Sequence, residues 1–140
     1  MIIDTHTHFY DPSRPEGVPW PPPDSDLLYR TVLPEHWRAG AEPHGVTATV
    51  VVEASPWLED NQWMLDLACR DRSIVGLVGH IDPGNTAFDD QLARFASDDY
   101  FLGVRVSGTH LKDIDRGDFV HEMELLVSRD LELDVLGGVD

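Results

Sequence analysis

The chain of 140 residues is poor in several things, and each shortage narrows what it can be. Cys69 is its only cysteine, so no disulfide can form within it. Standing beside Leu67 and Ala68 in a helical pattern, Cys69 is expected to be a buried structural thiol. Bases are scarce: 10 Lys and Arg against 26 Asp and Glu, a net charge of −16. That balance works against nucleic acid and against anionic membranes, since both are polyanions. It still allows a small anionic substrate held by one local arginine. No apolar run approaches the ~18 residues of a membrane helix, and no basic-then-apolar leader opens the chain. The simplest expectation is a cytoplasmic protein, with its oligomeric state left open. There is neither a Gly-x-Ser-x-Gly elbow nor a Gly-x-x-x-x-Gly-Lys cradle, so nucleophilic serine and nucleotide chemistry have no support.

What is present reads as one globular domain. Hydrophobic residues make up 41% of the chain, enough to build a core. Residues 2–8 read as a strand. Residues 11–26 hold six of the ten prolines and read as a loop. Pro34 to Ala41 suggests a short helix with proline in its first turn. Thr47 to Ala54 is a nearly continuous apolar and β-branched run, as expected of a strand covered on both faces. Glu59 to Arg72 looks helical, with Trp63, Leu67 and Arg70 as its stripe. Ile74 to Ile81 is a third strand. Asn85 to Ala96 is a helix with Asn85 as its N-cap. Phe101 to Val106 is a fourth strand, Phe119 to Arg129 a fourth helix and Leu131 to Leu136 a fifth strand.

Strict β-α alternation implies a parallel sheet with helical crossovers. An open doubly wound sheet would want a glycine-rich turn after the first strand. Here that position holds His6-Thr7-His8-Phe9-Tyr10, so side chains at a strand end are the working parts, as in a closed barrel. A complete (β/α)8 barrel takes ~250 residues. The expectation is therefore an α/β fold, an incomplete (β/α)8 barrel with about five strands. Residues 1–140 would be the N-terminal part of a single barrel domain, truncated near Gly137-Gly138-Val139-Asp140.

Strand residues alternate between faces, so Asp4, His6 and His8 are expected on one face, with Thr5 and Thr7 on the other. Two imidazoles ~7 Å apart on an interior face can bind one metal ion or grip one polarised oxygen. Asp4 is placed to orient the His6 ring by accepting its second N–H. The bland alternative is a pair of polar residues bonded to loop backbone at a strand end.

The opening Ile3-Asp4-Thr5-His6-Thr7-His8-Phe9-Tyr10-Asp11-Pro12 resembles that of the amidohydrolase superfamily, in particular its branch of sugar lactonases and pyrone-dicarboxylate lactonases. The resemblance continues through Leu33-Pro34-Glu35, Val52-Glu53-Ala54-Ser55-Pro56, Gly76 to Asp82, Gly103-Val104-Arg105 and Leu133-Asp134-Val135-Leu136. It implies a distorted (β/α)8 barrel in which His6 and His8 bind a divalent metal or, in some lactonases, the substrate carbonyl. It also implies a later histidine and a last-strand aspartate that this chain does not contain. Binuclear members carry a carboxylated lysine on the fourth strand. Here that strand reads Gly103-Val104-Arg105-Val106-Ser107, and Lys112, the only lysine, lies beyond it. The expectation is one divalent ion, zinc for instance, or none.

Further candidates come from polar residues inside apolar strands. Arg105, in phase with Gly103 and Ser107, has the fork that suits carboxylate or hydroxyl oxygens. Glu53 is an acid at the end of a valine run and is costly there unless paired. His80 and Asp82, in phase, could line the barrel mouth, and Asp134 is another acid in an apolar strand. Arg105, Glu53, His80 and Asp134 are the substrate-binding candidates; His6 and His8 are the catalytic and metal-binding ones. Each has a structural alternative: a salt bridge for Arg105, Glu53 and Asp134, and a loop contact for His80. His110 follows the fourth strand in a loop, while His36, His44 and His121 fall on helical stretches and are read as surface residues. Tyr10 and Trp20 could stack on a ring or simply pack the first loop.

The expected function is hydrolysis of a small carboxylated or sugar-derived lactone. One alternative is a zinc-dependent decarboxylase of an aromatic or unsaturated acid, which shares the opening motif. The other is an inactive or interaction-only product, because half a barrel leaves two open strand edges.

Overall fold

In the computed structural model, which describes residues 1–137 (Asp113 by its backbone alone), five strands alternate with four α-helices. The order is β1 (Ile2–Thr7), α1 (Pro34–Ala41), β2 (Val46–Val52), α2 (Leu58–Arg70), β3 (Ile74–Gly79), α3 (Phe88–Phe95), β4 (Phe101–Ser107), α4 (Gly117–Ser128) and β5 (Glu132–Leu136). Short 3-10 turns cover Glu42–His44 and His110–Asp113. Residues 138–140, part of the expected chain end, lie outside the described residues.

All four strand pairings are parallel, and the sheet runs β1-β2-β3-β4-β5. A doubly wound sheet reverses its order at a switch point, whereas a barrel adds each strand beside the last. The sheet also curls. Three strand spacings would put β1 and β4 ~14 Å apart in a flat sheet. Yet His6 of β1 meets Arg105 of β4 at 3.1 Å. The fold is half of a (β/α)8 barrel, as expected.

Helices cover the convex face, and the core lies between. Val51, Ile74, Leu77, Val104 and Val106 from the sheet pack with Met64, Leu65, Leu92, Phe95 and Leu126 from the helices. Burying a side chain of this size contributes about 1.5–3 kcal/mol.

Three local expectations change. Cys69 is exposed, not buried. The buried face of α2 is Asn61, Met64, Leu65 and Ala68, and the next residue turns ~100° away from it. The expected stripe of Trp63 and Leu67 is only half-buried for the same reason. Asn85 is not the N-cap of α3; that position belongs to Ala87. Asn85 instead forms a turn ahead of the helix, its Oδ1 accepting the Ala87 N–H at 2.9 Å.

The third change concerns β1. Asp4 pairs with Thr49 and Thr7 with Val51, three residues of β1 against two of β2. A bulge of this kind reverses the alternation beyond it. Asp4 therefore faces the helical layer, where its Oδ2 accepts the indole N–H of Trp37 in α1 at 3.3 Å. Its other oxygen accepts the backbone N–H of His6 at 3.2 Å. Asp4 orients the His6 backbone rather than its ring.

Candidate active site

His6 and His8 project from the end of β1 toward the concave side. Their ring centroids lie 5.0 Å apart, with the rings nearly perpendicular. The partners decide each tautomer. His8 Nδ1 lies 2.9 Å from the Val52 carbonyl oxygen, which can only accept, so Nδ1 carries the proton. His8 then offers a lone pair at Nε2. His6 Nε2 lies 3.1 Å from Arg105 Nη2, which can only donate, so Nε2 is the acceptor. Burial holds the His8 ring below the ordinary histidine value. The Val52 carbonyl opposes that shift, and the charges of His6 and Arg105 add to it.

Arg105 is 5% exposed although it faces the concave side. Its register partner in β5 is Asp134. Nε and Nη2 each reach Asp134 Oδ2 at 2.8 Å. The two residues named separately from the sequence thus form one ion pair. Gly103, two residues earlier in β4, lets β5 come close beside it: a Cβ there would collide with the Glu132 backbone.

Glu53 stands just past the end of β2, its N–H donating to Val78. Burial pushes its carboxyl above the usual value; Arg105 and the Ser55 amide pull it down, and Asp134 adds to the rise. Glu53 meets Arg105 through charge, without a hydrogen bond between them among the described contacts. A cleft of about 230 Å³ opens here, lined by His8, Trp20, Glu53, Ala54, Arg105 and Leu136.

His80 belongs to a separate group. β3 ends at Gly79, so His80 and Asp82 both follow the strand instead of continuing it. Asn61 of α2 clamps the His80 backbone, accepting its N–H at 2.9 Å and donating to its carbonyl at 2.7 Å. Gly79 permits the clamp, since a Cβ there would collide with Asn61 Oδ1. The His80 ring is held low by burial and by His110, against the pull of Asp82. His110 Nε2 lies 3.7 Å from Asp82, and its Nδ1 accepts the Ser107 N–H at 3.2 Å.

The other histidines keep to helices. His36 Nδ1 accepts the Leu33 N–H at 3.0 Å and caps α1, while His121 pairs with Asp89 at the surface. Leu136 and Asn61 are the residues that sequence patterning did not single out as parts of a site, whereas Trp20, weighed as stacking on a ring or packing the first loop, does border the cleft. Leu136 carries no polar signal, and Asn61 stands out only as a polar residue on the buried face of α2.

A divalent cation can be tested against these donors. A metal-bound histidine usually donates its other ring N–H to a carbonyl or carboxylate, and His8 does so to Val52. His6 fits once Arg105 releases its Nε2. These are two of the three protein ligands a catalytic zinc needs. Among the described residues no group of three or more His, Cys, Asp or Glu is placed to hold a metal.

The same chain resembles known proteins along nearly its whole length. The sequence profile of the amidohydrolase family matches residues 3–138. An L-fucono-1,5-lactonase of Burkholderia ambifaria is 31% identical over an alignment of 140 positions that covers 96% of this chain and 47% of that protein. A crystal structure of an amidohydrolase from Burkholderia multivorans with bound zinc superposes with a TM-score of 0.83 at 24% identity, over 98% of this chain and 49% of that one. A probable 2-pyrone-4,6-dicarboxylic acid hydrolase from Acinetobacter baumannii, with citric acid bound, gives 0.72 at 17% identity over 96% and 48%. The chain spans about half the length of the relatives it matches. No helix among the described residues is long and apolar enough to cross a membrane. The strand-end histidines, the sequential parallel sheet and the profile match agree: the chain belongs to the amidohydrolase family.

Proposed function

We propose that this chain forms the N-terminal half of a lactonase barrel and supplies the groups that bind and polarise a small, sugar-derived lactone. The observation that carries this reading is the contact of Arg105 with both His6 and Asp134 beside the cleft floored by His8. Support also comes from the lactonase name of the 31% identical relative.

Water attack on a lactone carbonyl puts negative charge on its oxygen, and fixed donors aimed there lower the barrier. Neutral His8 offers a lone pair at Nε2, not a donor. Arg105 is the permanent cation of the cleft, held by Asp134, and is assigned the substrate oxygen. Glu53 and Asp134 are acceptors for substrate hydroxyls, while His80 stands apart from the cleft with Asp82 and His110. A divalent ion, if the complete barrel binds one, would be held by His8 and His6 and would supply Lewis-acid activation of the carbonyl. Water activation is assigned to a carboxylate on the remaining strands of the barrel. The decarboxylase reading has no observation in its favour.

The test is a hybrid barrel in which this chain replaces the matching half of the B. ambifaria lactonase. L-Fucono-1,5-lactone hydrolysis that falls at least ~100-fold in His8→Ala and in Arg105→Gln supports the reading. A folded hybrid whose turnover survives both substitutions rejects it. The 140-residue chain alone is expected to turn over nothing measurable.

A further inference from the structure

The segment joining β1 to α1 is fastened at three points. Tyr10 and Val32 exchange two backbone hydrogen bonds of 2.9 Å at its base. Asp11 Oδ1 accepts the Thr31 hydroxyl at 2.8 Å from the far limb and the Ser13 hydroxyl at 2.7 Å from the near one. Arg14 then crosses to α2. Its Nη2 donates to Asp60 at 2.9 Å, and the guanidinium carbon lies 4.3 Å from the centroid of the Trp63 ring. The Arg14 side chain is only 12% exposed, and it also donates to the Gly17 carbonyl at 3.2 Å.

These ties hold Trp20 over the site. Its ring meets His8 at 5.8 Å and Tyr10 at 5.4 Å between centroids, both edge-on. Trp20 is 38% exposed, against 6% for Tyr10, and it borders the cleft. A segment this tightly fixed, presenting a partly exposed indole beside His8, has the form of a ligand platform.

We propose that Trp20 is a platform for the C–H face of a saturated lactone ring, and that Arg14 positions it. This rests on the lactonase reading. The two faces of such a ring differ: one presents C–H groups to an aromatic surface, while hydroxyls on the other reach acceptors. Glu53 supplies the acceptor in the same cleft, and with Arg105 already paired to Asp134 the Glu53 carboxylate disfavours a planar dicarboxylate. Trp20 and Glu53 together thus select a hydroxylated saturated ring. Arg14 touches no substrate and acts through the loop.

The experiment is 19F NMR on the 140-residue chain labelled with 5-fluorotryptophan. The chain has four tryptophans, and Trp20→Phe assigns the resonance of interest. L-Fucono-1,5-lactone is expected to shift the Trp20 signal saturably, and 2-pyrone-4,6-dicarboxylate is expected to leave it in place. Trp20→Leu weakens binding about three- to tenfold, and Trp20→Phe restores most of it. Arg14→Gln and Asp60→Asn each move the Trp20 signal of the free protein and weaken binding, and Arg14→Lys recovers part. An unmoved Trp37 signal certifies that these variants are folded. Saturable lactone binding with a silent Trp20 signal, or undiminished binding by Trp20→Leu, overturns the platform and leaves the lactonase reading standing. A Trp20 signal unaffected by Arg14→Gln overturns the role of Arg14. Failure of the lactone to bind at all overturns both proposal and reading.

Discussion

Arg105 gives two N–H groups to one oxygen of Asp134, at 2.8 Å each, and turns its Nη2 to His6 at 3.1 Å. One guanidinium therefore links three strands, β1, β4 and β5. Arg105→Gln removes the charge and the fork while leaving Asp134 without its partner. Asp134 is 35% exposed at the side chain, so solvent softens the loss, and the expected cost is about 1–2 kcal/mol. The check is a urea titration in which the midpoint falls with the slope unchanged. Arg105→Lys keeps the charge without the fork and should fall between the two. An unmoved midpoint in Arg105→Gln would make the pair irrelevant to stability.

The Asn61 clamp on His80 should be strong because both partners are main-chain groups at a buried position. Asn61→Ala strands an N–H and a carbonyl, with an expected cost of about 2–4 kcal/mol. Gly79→Ala attacks the same place from the other side, since its Cβ would press on Asn61 and on Phe101. A cost of about 1–3 kcal/mol is expected there. If Asn61→Ala melts with the parent protein, the clamp contributes nothing.

Two groups in the cleft should give opposite pH dependences. His8 is held below its ordinary 6.5, so the unfolded chain takes up that proton first as pH falls. Its contribution is unfavourable below 6.5 and grows until the lower native value is passed. Glu53 is held above 4.5, so the native state keeps that proton longer as pH rises. Its contribution is unfavourable above 4.5 and grows until the higher native value is passed. Relative to the parent, His8→Gln should gain stability as pH drops below 6.5, and Glu53→Gln should gain as pH climbs above 4.5. Urea midpoints across pH 4 to 8 separate the two, and parallel curves for parent and variants would refute both assignments.

Cys69 faces solvent on α2, so it should react with a thiol reagent such as DTNB in the native protein, one equivalent per chain. Reaction only after denaturant is added would mean that the face turned outward by α2 is misassigned.

How far the sequence could be read depends on what each feature answers to. Element order and parallel pairing follow from alternation of apolar runs and were legible; the barrel sense came from His6-Thr7-His8 standing where a doubly wound sheet would place a glycine-rich turn. As candidates, Arg105, Glu53 and Asp134 stood out because polar residues inside apolar strands are expensive and call for a partner, and His6 and His8 because two imidazoles alternate at the end of one strand. That Arg105 and Asp134 share one ion pair follows from strand register, which no single strand encodes. His80 could not be separated from the others, because only the early end of β3 at Gly79 brings it to Asp82 and His110. The exposure of Cys69 turned on one residue of helical phase. Trp20 could be weighed as an aromatic beside prolines, but its place over His8 is set by ties at Asp11, Arg14 and Tyr10 that are long-range in the chain.

The three-for-two step between Asp4 and Thr7 lets one short segment serve two layers at once. Ahead of the step, a carboxylate anchors the outer shell through an indole; behind it, imidazoles open onto the hollow side. Excising a single residue there would exchange those destinations, swinging both rings into the packed layer beneath α1 and leaving the hollow without its nitrogen ligands.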